Sequence, residues 1–287
     1  MTNKIVLAGS GYLGGYIKNQ LNINDRIYSV IDVCRTKKIK SDAATNIIRD
    51  FDNKESDLQF MDDSTIIYMA PPSTTSMKDD RLNNFISNVA SLKINKIIYT
   101  STSGVYGNCG DEIVDEEKKL MPQTERAVRR VYAEKRLTKF AKGKNFKLII
   151  LRVPGIYGPG RLPIDRVKKR EPLILPRECR TTNLIHVEDL ARICVASAHL
   201  EKDLEIINVS DGNPIKTTTY YEYIYEAYSM EPPEYITFEK AIESYSKKRL
   251  SFLKESRILN VNKMRRLFPE CIRFEDTRAG IRQSLLF

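Results

Sequence analysis

Three glycines close to the start of the chain, Gly9, Gly11 and Gly14, fall in the stretch GSGYLG with the spacing G-x-G-x-x-G. Backbone N–H groups presented by such a turn can hold a pyrophosphate, because glycine tolerates the tight bend and has no side chain to block a close approach. Here an apolar run, KIVLA, leads straight into the turn, and the helix-like YLGGYIKNQL follows it. Gly9 is then expected to make the bend, Gly11 to admit the phosphates and Gly14 to let helix pack on strand, with Ser10, Tyr12 and Leu13 completing the cofactor-binding turn. The first turn of the helix would add the positive end of its dipole. A purely structural turn can use the same glycines, so the strand-turn-helix context carries the argument for a dinucleotide site.

The second apolar run ends in IDVCRTKK, where recognition of the adenosine ribose is expected. Asp32 would hold the ribose hydroxyls of NAD, whereas Arg35, with Lys37 and Lys38, would hold the 2′-phosphate of NADP. A strand ending at Asp32 favours NAD. A strand running on to Cys34 leaves Asp32 internal and brings Arg35 to the phosphate. The cluster of cations favours NADP, with NAD left open.

These residues need a scaffold, and the hydrophobic pattern describes one. Short apolar runs (KIVLAG, RIYSVIDV, TNIIRD, STIIYMA, KIIYTS, FKLIILRV) alternate with helix-like stretches, among them RLNNFISNVASL and residues 123–142. Continuous apolar strands separated by helices indicate an α/β fold, a Rossmann-type doubly wound parallel sheet covered on both faces. Residues 1–154 are expected to form this domain. From 155 to 287 the texture turns to Pro- and Gly-rich loops, one more strand (LEIINVSDG) and short helices, which reads as a small C-terminal substrate-side cap interleaved with the sheet, with a cleft between cap and sheet.

Composition narrows the function further. The chain has 287 residues, 41% of them hydrophobic, enough for an ordinary core. There is no apolar stretch of membrane-spanning length and no leader-like start, so a cytoplasmic protein without membrane contact is expected. Five scattered cysteines and two histidines fit neither a metal site nor a disulfide framework. The formal net charge of +10 would attract nucleic acid, but KKIK, VKKR, KKR and MRR lie far apart with acidic residues between them, and no nucleic-acid-binding motif accompanies them. These runs read first as solvated basic faces, and next as a preference for anionic small ligands.

Taken together, GSGYLG (9–14), IIRDFD (47–52), YMAPP (68–72), YTSTSGVYG (99–107), LRVPGIYGPGRLP (151–163), NLIHVEDLA (183–191) and INVSDG (207–212) resemble the extended short-chain dehydrogenase/reductases. These are the NAD-dependent epimerase/dehydratase superfamily, and the likeness is greatest to its atypical bacterial nucleoside-diphosphate-sugar epimerase-like members. The chain departs from the extended members in having GxGxxG where they have GxxGxxG. The resemblance implies that Asp50 and Phe51 stand beside the adenine, and that Ala70 and Pro71 pack on the cofactor after the fourth strand. It implies that Thr102 is the catalytic Ser/Thr, four residues before Tyr106, and that Pro154 contacts the nicotinamide. His186 and Asp189 would border the cap, or serve only structure.

In that family the next helix reads P-x-x-x-Y-x-x-x-K-x-x-x-E. Laid on this chain, the pattern puts Pro122 on the Pro, Glu134 on the Glu, Arg126 on the Tyr and Arg130 on the Lys. Hydride transfer at a carbinol carbon needs a matching proton transfer, and a guanidinium with a pKa above about 12 donates hydrogen bonds but no proton. Arg126 and Arg130 are therefore expected to clamp negative charge. Tyr132 lies six residues from Arg126, about 240° round the helix, so it would face away from a cleft that Arg126 faces. Tyr106 and Tyr157, both in Tyr-Gly turns, are the other candidate hydroxyls. Two functions follow: an NAD(P)-dependent oxidoreductase or epimerase-like enzyme for a small polar anionic substrate, or an NAD(P)-binding sensor or interaction module without turnover. The resemblance also implies dimerisation through two helices of the nucleotide domain. The charge of RRVYAEKRLTKFAK argues against that contact, and a homodimer stays open.

Overall fold

A computed structural model describes residues 3–23, 28–36, 44–246, 249–250, 253 and 255–286. The apolar runs form the strands β1 (Asn3–Ala8), β2 (Tyr28–Cys34), β3 (Thr45–Ile48), β4 (Ser64–Tyr68), β5 (Ile94–Thr102), β6 (Lys147–Val153) and β7 (Leu204–Asn208) of one sheet. Its order is β7-β6-β5-β4-β1-β2-β3. From β3 to β5 every neighbour pairs in parallel, with Leu7 level with Asp32 on one side and Ile67 on the other. Ile5, Val6, Leu7 and Ala8 are all buried, as a strand covered on both faces must be. After β1 the chain adds β2 and β3 on one side, then crosses to place β4 on the other. The carboxyl end of β1 is therefore the switch point of a doubly wound Rossmann-type sheet, where such sheets open a crevice.

Helices cover the sheet. The helix α1 (Tyr12–Ile23) follows the glycine turn directly. The helix α2 (Asp80–Val89) turns Leu82, Phe85, Ile86 and Val89 inward, and Asp79 caps it by accepting the Leu82 N–H at 3.1 Å. The helix α3 (Glu125–Lys144) has Glu125 in its first turn and Lys142 and Lys144 in its last, matching the helix dipole. A further helix, α4 (Val187–Ala198), precedes β7. Phe51, Tyr68, Phe85 and Tyr99 pack as neighbouring rings in the core beneath α2 and α3, with centroids 4.7–6.1 Å apart.

The chain divides into two compact units that are discontinuous in sequence. The first comprises Met1–Val105, Glu125–Arg152 and Leu190–Ile207, and the second Tyr106–Thr124, Val153–Asp189 and Asn208–Phe287. In the second unit the helices Thr217–Ala227 and Thr277–Ser284 and short two-stranded ribbons enclose a core of Tyr157, Leu173, Leu184, Tyr221, Ile224 and Ile281. The five cysteines are free thiols. Among the described residues there is no grouping of metal-ligating side chains, and no helix is long and apolar enough to cross a membrane.

Candidate functional site

The glycine turn opens onto a cavity of about 580 Å³ in the first unit. Gly9 has φ +78°, and a Cβ there would lie 2.7 Å from the Ala70 backbone, so only glycine fits the bend against β4. The Gly9 and Ser10 N–H groups both donate to the Val33 carbonyl, at 3.1 and 2.9 Å, which fixes the turn against β2. A Cβ on Gly14 would run into the Ser10 hydroxyl, so that glycine lets the helix close over the turn. Gly11 has nothing within 4 Å of where its Cβ would be, and with Gly9 and Ser10 it lines the cavity. The bend is not plugged by a neighbouring side chain. Tyr12 begins α1, with its ring edge against Tyr16, and Leu13 is buried.

The opposite wall joins Cys34, Arg35 and Thr36 after β2, Arg49, Asp50 and Phe51 after β3, and Ala70, Pro71 and Arg81 after β4. The site residues expected at these strand ends thus share one wall, except Asp32. Because β2 runs to Cys34, Asp32 is internal, fully buried and ion-paired with Lys18 of α1 at 2.6 Å. It does not line the cavity, which corrects the expectation that it meets a ribose there. Arg35 is exposed and, among the described residues, its guanidinium makes no hydrogen bond or ion pair. Lys37 and Lys38 lie outside the described residues.

Arg49 and Arg81 also line the cavity, and no motif spacing in the sequence points to them. Arg81 grips both carboxylate oxygens of Asp52, at 2.8 and 2.6 Å, and donates to the Pro71 carbonyl at 2.7 Å. This bidentate bond holds the Asp52 carboxyl below the usual carboxylate range, although Asp52 itself is close to half exposed. Arg49 donates to the Asp57 and Ile48 carbonyls. Arg49 lies within IIRDFD and Arg81 is the second residue of α2. Phe51 forms the floor, buried against Tyr68 and Phe85.

The helix α3 is bolted to the sheet by Glu134. Its carboxylate accepts from the Ser101 hydroxyl at 2.5 Å and from the Arg152 guanidinium at 2.9 Å, with both charged side chains about 95% buried. One turn earlier, Arg130 donates to the Tyr99 hydroxyl at 2.9 Å and to the Thr100 carbonyl at 3.0 Å, and lies 5.4 Å from the Tyr99 ring centroid. Burial pushes the Tyr99 phenol up to about 12, against the opposing pull of Arg130. Arg126 is exposed in the first turn of the helix. Thr102 ends β5, and its Oγ1 accepts the Gly104 N–H at 3.2 Å. A Cβ on Gly104 would stand 3.7 Å from Ala127, so the turn after Thr102 lies against the first turn of α3.

The comparisons with known proteins accord with this geometry. The NAD dependent epimerase/dehydratase family matches residues 5–210. The chain belongs to that family. Its fold is also that of a functionally unknown conserved protein from Silicibacter pomeroyi, with a TM-score of 0.82 at 23% identity over 99% of both chains. UDP-glucuronic acid 4-epimerase from Bacillus cereus superposes with a TM-score of 0.77 at 17% identity, over 99% of this chain and 100% of that one. At those identities the likeness concerns fold alone. In sequence, the chain is 26% identical over 176 residues to the decarboxylating sterol-4-alpha-carboxylate 3-dehydrogenase of Schizosaccharomyces pombe, 55% of this chain and 51% of that relative. The chain thus spans about half the length of the curated relative it matches.

Several of the hydroxyls that this family member's sequence put forward are engaged elsewhere. Tyr106, in the second unit, is 1% exposed and donates to Asn208 Oδ1 at 2.7 Å. Tyr132 donates to Asn83 of α2 at 3.1 Å, on the face of α3 its angular position requires. Tyr157 is buried among His186 and Tyr220, and burial drives its phenol far above the ordinary value. His186 packs 4.0 Å from the Phe274 ring, and Asp189 accepts the Arg273 and Phe274 N–H groups at 3.1 and 3.0 Å. Both serve the second unit's core. Pro154 lies half-buried between β6 and the strand Gly155–Tyr157 and is not one of the residues that line the cavity.

Proposed function

We propose that this family member binds a pyridine dinucleotide, NADP in preference to NAD, in the cavity at the carboxyl end of β1, and acts on a small polar anionic substrate. The observation that carries this reading is the open face of Gly11 on a cavity of about 580 Å³ with Arg35 at its rim. The residues fit such a cofactor. Gly9, Ser10, Gly11 and the first turn of α1 would hold the pyrophosphate, Phe51 and Asp50 the adenine side, Ala70 and Pro71 the ring face, and Arg35 the 2′-phosphate. The nicotinamide, when bound, supplies a hydride donor or acceptor.

The chain's own residues must then orient the substrate and handle charge. With its oxygen already accepting from Gly104, Thr102 has its hydroxyl proton left to donate to a substrate carbonyl. Arg126 and Arg130, where the resemblance places the Tyr and Lys, would bind a carboxylate or phosphate as fixed cations. Burial pushes the phenols of Tyr68 and Tyr99 up, away from the range of an acid at neutral pH. A turnover slower by about 10²–10⁴ than with a positioned acid follows.

Purified protein is expected to enhance and shift NADPH fluorescence, small ketones to oxidise NADPH slowly and nucleotide sugars to reduce NADP+ slowly, with Thr102→Val suppressing both signals. The engagement of Tyr106 and Tyr132 favours a second reading, a dinucleotide-binding sensor or interaction module without turnover. Fluorescence enhancement with no oxidation or reduction above the buffer rate would leave that reading in place. No enhancement at all would remove both.

A further inference from the structure

A groove of about 800 Å³ opens in the first unit where β5, β6 and β7 begin, at the other end of the sheet from the nucleotide cavity. The two share no lining residue. Backbone contacts fix the walls of the groove. Asn145, at φ +55°, turns the chain out of α3, and the Phe146 N–H returns to the Ala141 carbonyl at 3.4 Å. On the approach to β5 the Lys93 carbonyl accepts the Asp63 N–H at 2.7 Å, and on the approach to β7 the Asp203 carbonyl accepts the Leu148 N–H at 2.9 Å. A partner would therefore meet a shape already formed, which lowers the ordering cost of binding.

The lining combines apolar surface with positive charge. Leu92 and Phe140 are only part-buried, Phe140 and Phe146 meet edge to face at 5.1 Å, and Leu204 is 40% exposed. Around them stand the ammonium groups of Lys93, Lys142, Lys144 and Lys147, against one lining carboxylate, Asp203. Lys93 pairs with Asp63 at 3.1 Å and Lys147 with Glu201, in bridges largely open to water and so weakly held. Lys142 and Lys144 are exposed and, among the described residues, make no hydrogen bond or ion pair. Their place at the end of α3 suits the helix dipole. The dipole does not account for Lys93 and Lys147, which reach the same groove from other elements, nor for the exposed Leu204 among them.

We propose that this groove is a docking site for an acidic peptide segment of a partner protein, with one apolar side chain set between carboxylates. The apolar side chain would lie on Phe140, Phe146 and Leu204, and the flanking carboxylates would meet Lys142 and Lys144 on the α3 side and Lys93 on the β5 side. Charge complementarity selects the acidic partner, and the concave apolar floor selects a peptide: a flat bilayer could reach the lysines at the rim but not the surface between them. Because the groove is separate from the nucleotide cavity, the proposal does not depend on dinucleotide binding and is tested without NAD(P).

The probe is a fluorescein-labelled peptide, Asp-Glu-Phe-Glu-Asp, titrated into the full-length protein and followed by fluorescence anisotropy, beside Asp-Glu-Ser-Glu-Asp and Lys-Lys-Phe-Lys-Lys. The first is expected to bind saturably, and the other two at least tenfold more weakly. The double variant Lys142→Gln/Lys144→Gln should weaken the first peptide at least tenfold, and Leu204→Ser should weaken it at least threefold. Lys168→Gln/Lys169→Gln, which removes the same charge from two exposed lysines of the second unit, should leave it unchanged. Should a variant fail to fold, the comparison of the three peptides on the unaltered protein still decides. Equal binding of the phenylalanine and serine peptides, absence of saturable binding, or equal losses from the two lysine pairs would each overturn the proposal. So would co-sedimentation with phosphatidylserine vesicles that displaces the peptide and is lost in Lys142→Gln/Lys144→Gln, which would assign the surface to a membrane.

Discussion

Gly11 and Arg35 carry most of the residue-scale argument. Gly11 faces open space, so Gly11→Val folds without a clash and places a branched side chain in the volume a pyrophosphate would take. NADPH fluorescence enhancement is expected to vanish while the melting temperature stays near that of the unaltered protein. Loss of both together would mean the residue holds the turn instead of the ligand. Arg35 offers an uncommitted guanidinium beside Arg49 and Arg81, which are both engaged with neighbouring oxygens. A charge-assisted bond of this kind is worth about 1.5–3 kcal/mol, and exposure reduces it, so Arg35→Ala should weaken NADPH about tenfold and spare NADH. Equal affinities before and after the change would end the NADP preference. Asp32 illustrates how one residue can mislead: its type fits ribose binding, but two more residues of strand and a lysine on α1 take it into the interior.

At the scale of elements, the position of α3 decides what Arg126 and Arg130 can reach, and Glu134 decides the position of α3. It binds β5 through Ser101 and β6 through Arg152 in a setting almost free of water. Removing one partner of a buried pair strands the other charge, at a cost of about 3–5 kcal/mol. Glu134→Ala should therefore lower the urea unfolding free energy by that order, and Glu134→Gln, which keeps the Ser101 bond, by less. A loss below about 1 kcal/mol in the alanine variant would show that α3 is held by its apolar face alone. The same helix explains why Tyr132 was an unsuitable donor: the residues that fix α3 turn Tyr132 toward Asn83.

For the whole molecule, stability should depend on pH through the second unit. Asp211 is fully buried, accepts from the Asn213 N–H and the Thr277 hydroxyl, and lies near Asp189 and Glu275. Burial, aided by Asp189, pushes its carboxyl up to about 7 from the ordinary 3.8. The folded state thus binds a proton that the unfolded chain has released, so this contribution is complete below about pH 4 and is lost as pH rises through 7. The melting temperature should fall across that interval, and Asp211→Asn should flatten the fall. An unchanged slope in the variant would assign the dependence to other groups. How the two units cooperate during unfolding is open to the same measurement, since separate transitions would resolve them.

The sequence by itself determined the seven strands, the glycine turn and the family. Those features are dictated locally: strands covered on both faces must be continuously apolar, and a bend at positive φ against the Ala70 backbone admits glycine alone. It also placed Glu134 on the helix that Arg126 and Arg130 share, by spacing alone. What only the tertiary structure decided is where each polar group is engaged. Tyr106 meets Asn208 from 102 residues away, Arg130 meets Tyr99 from 31, and Asp32 loses the cavity to a lysine on α1. Residue type states what a group can bond to, but the partner is chosen by packing among elements distant in the chain, and that information is absent from any local pattern.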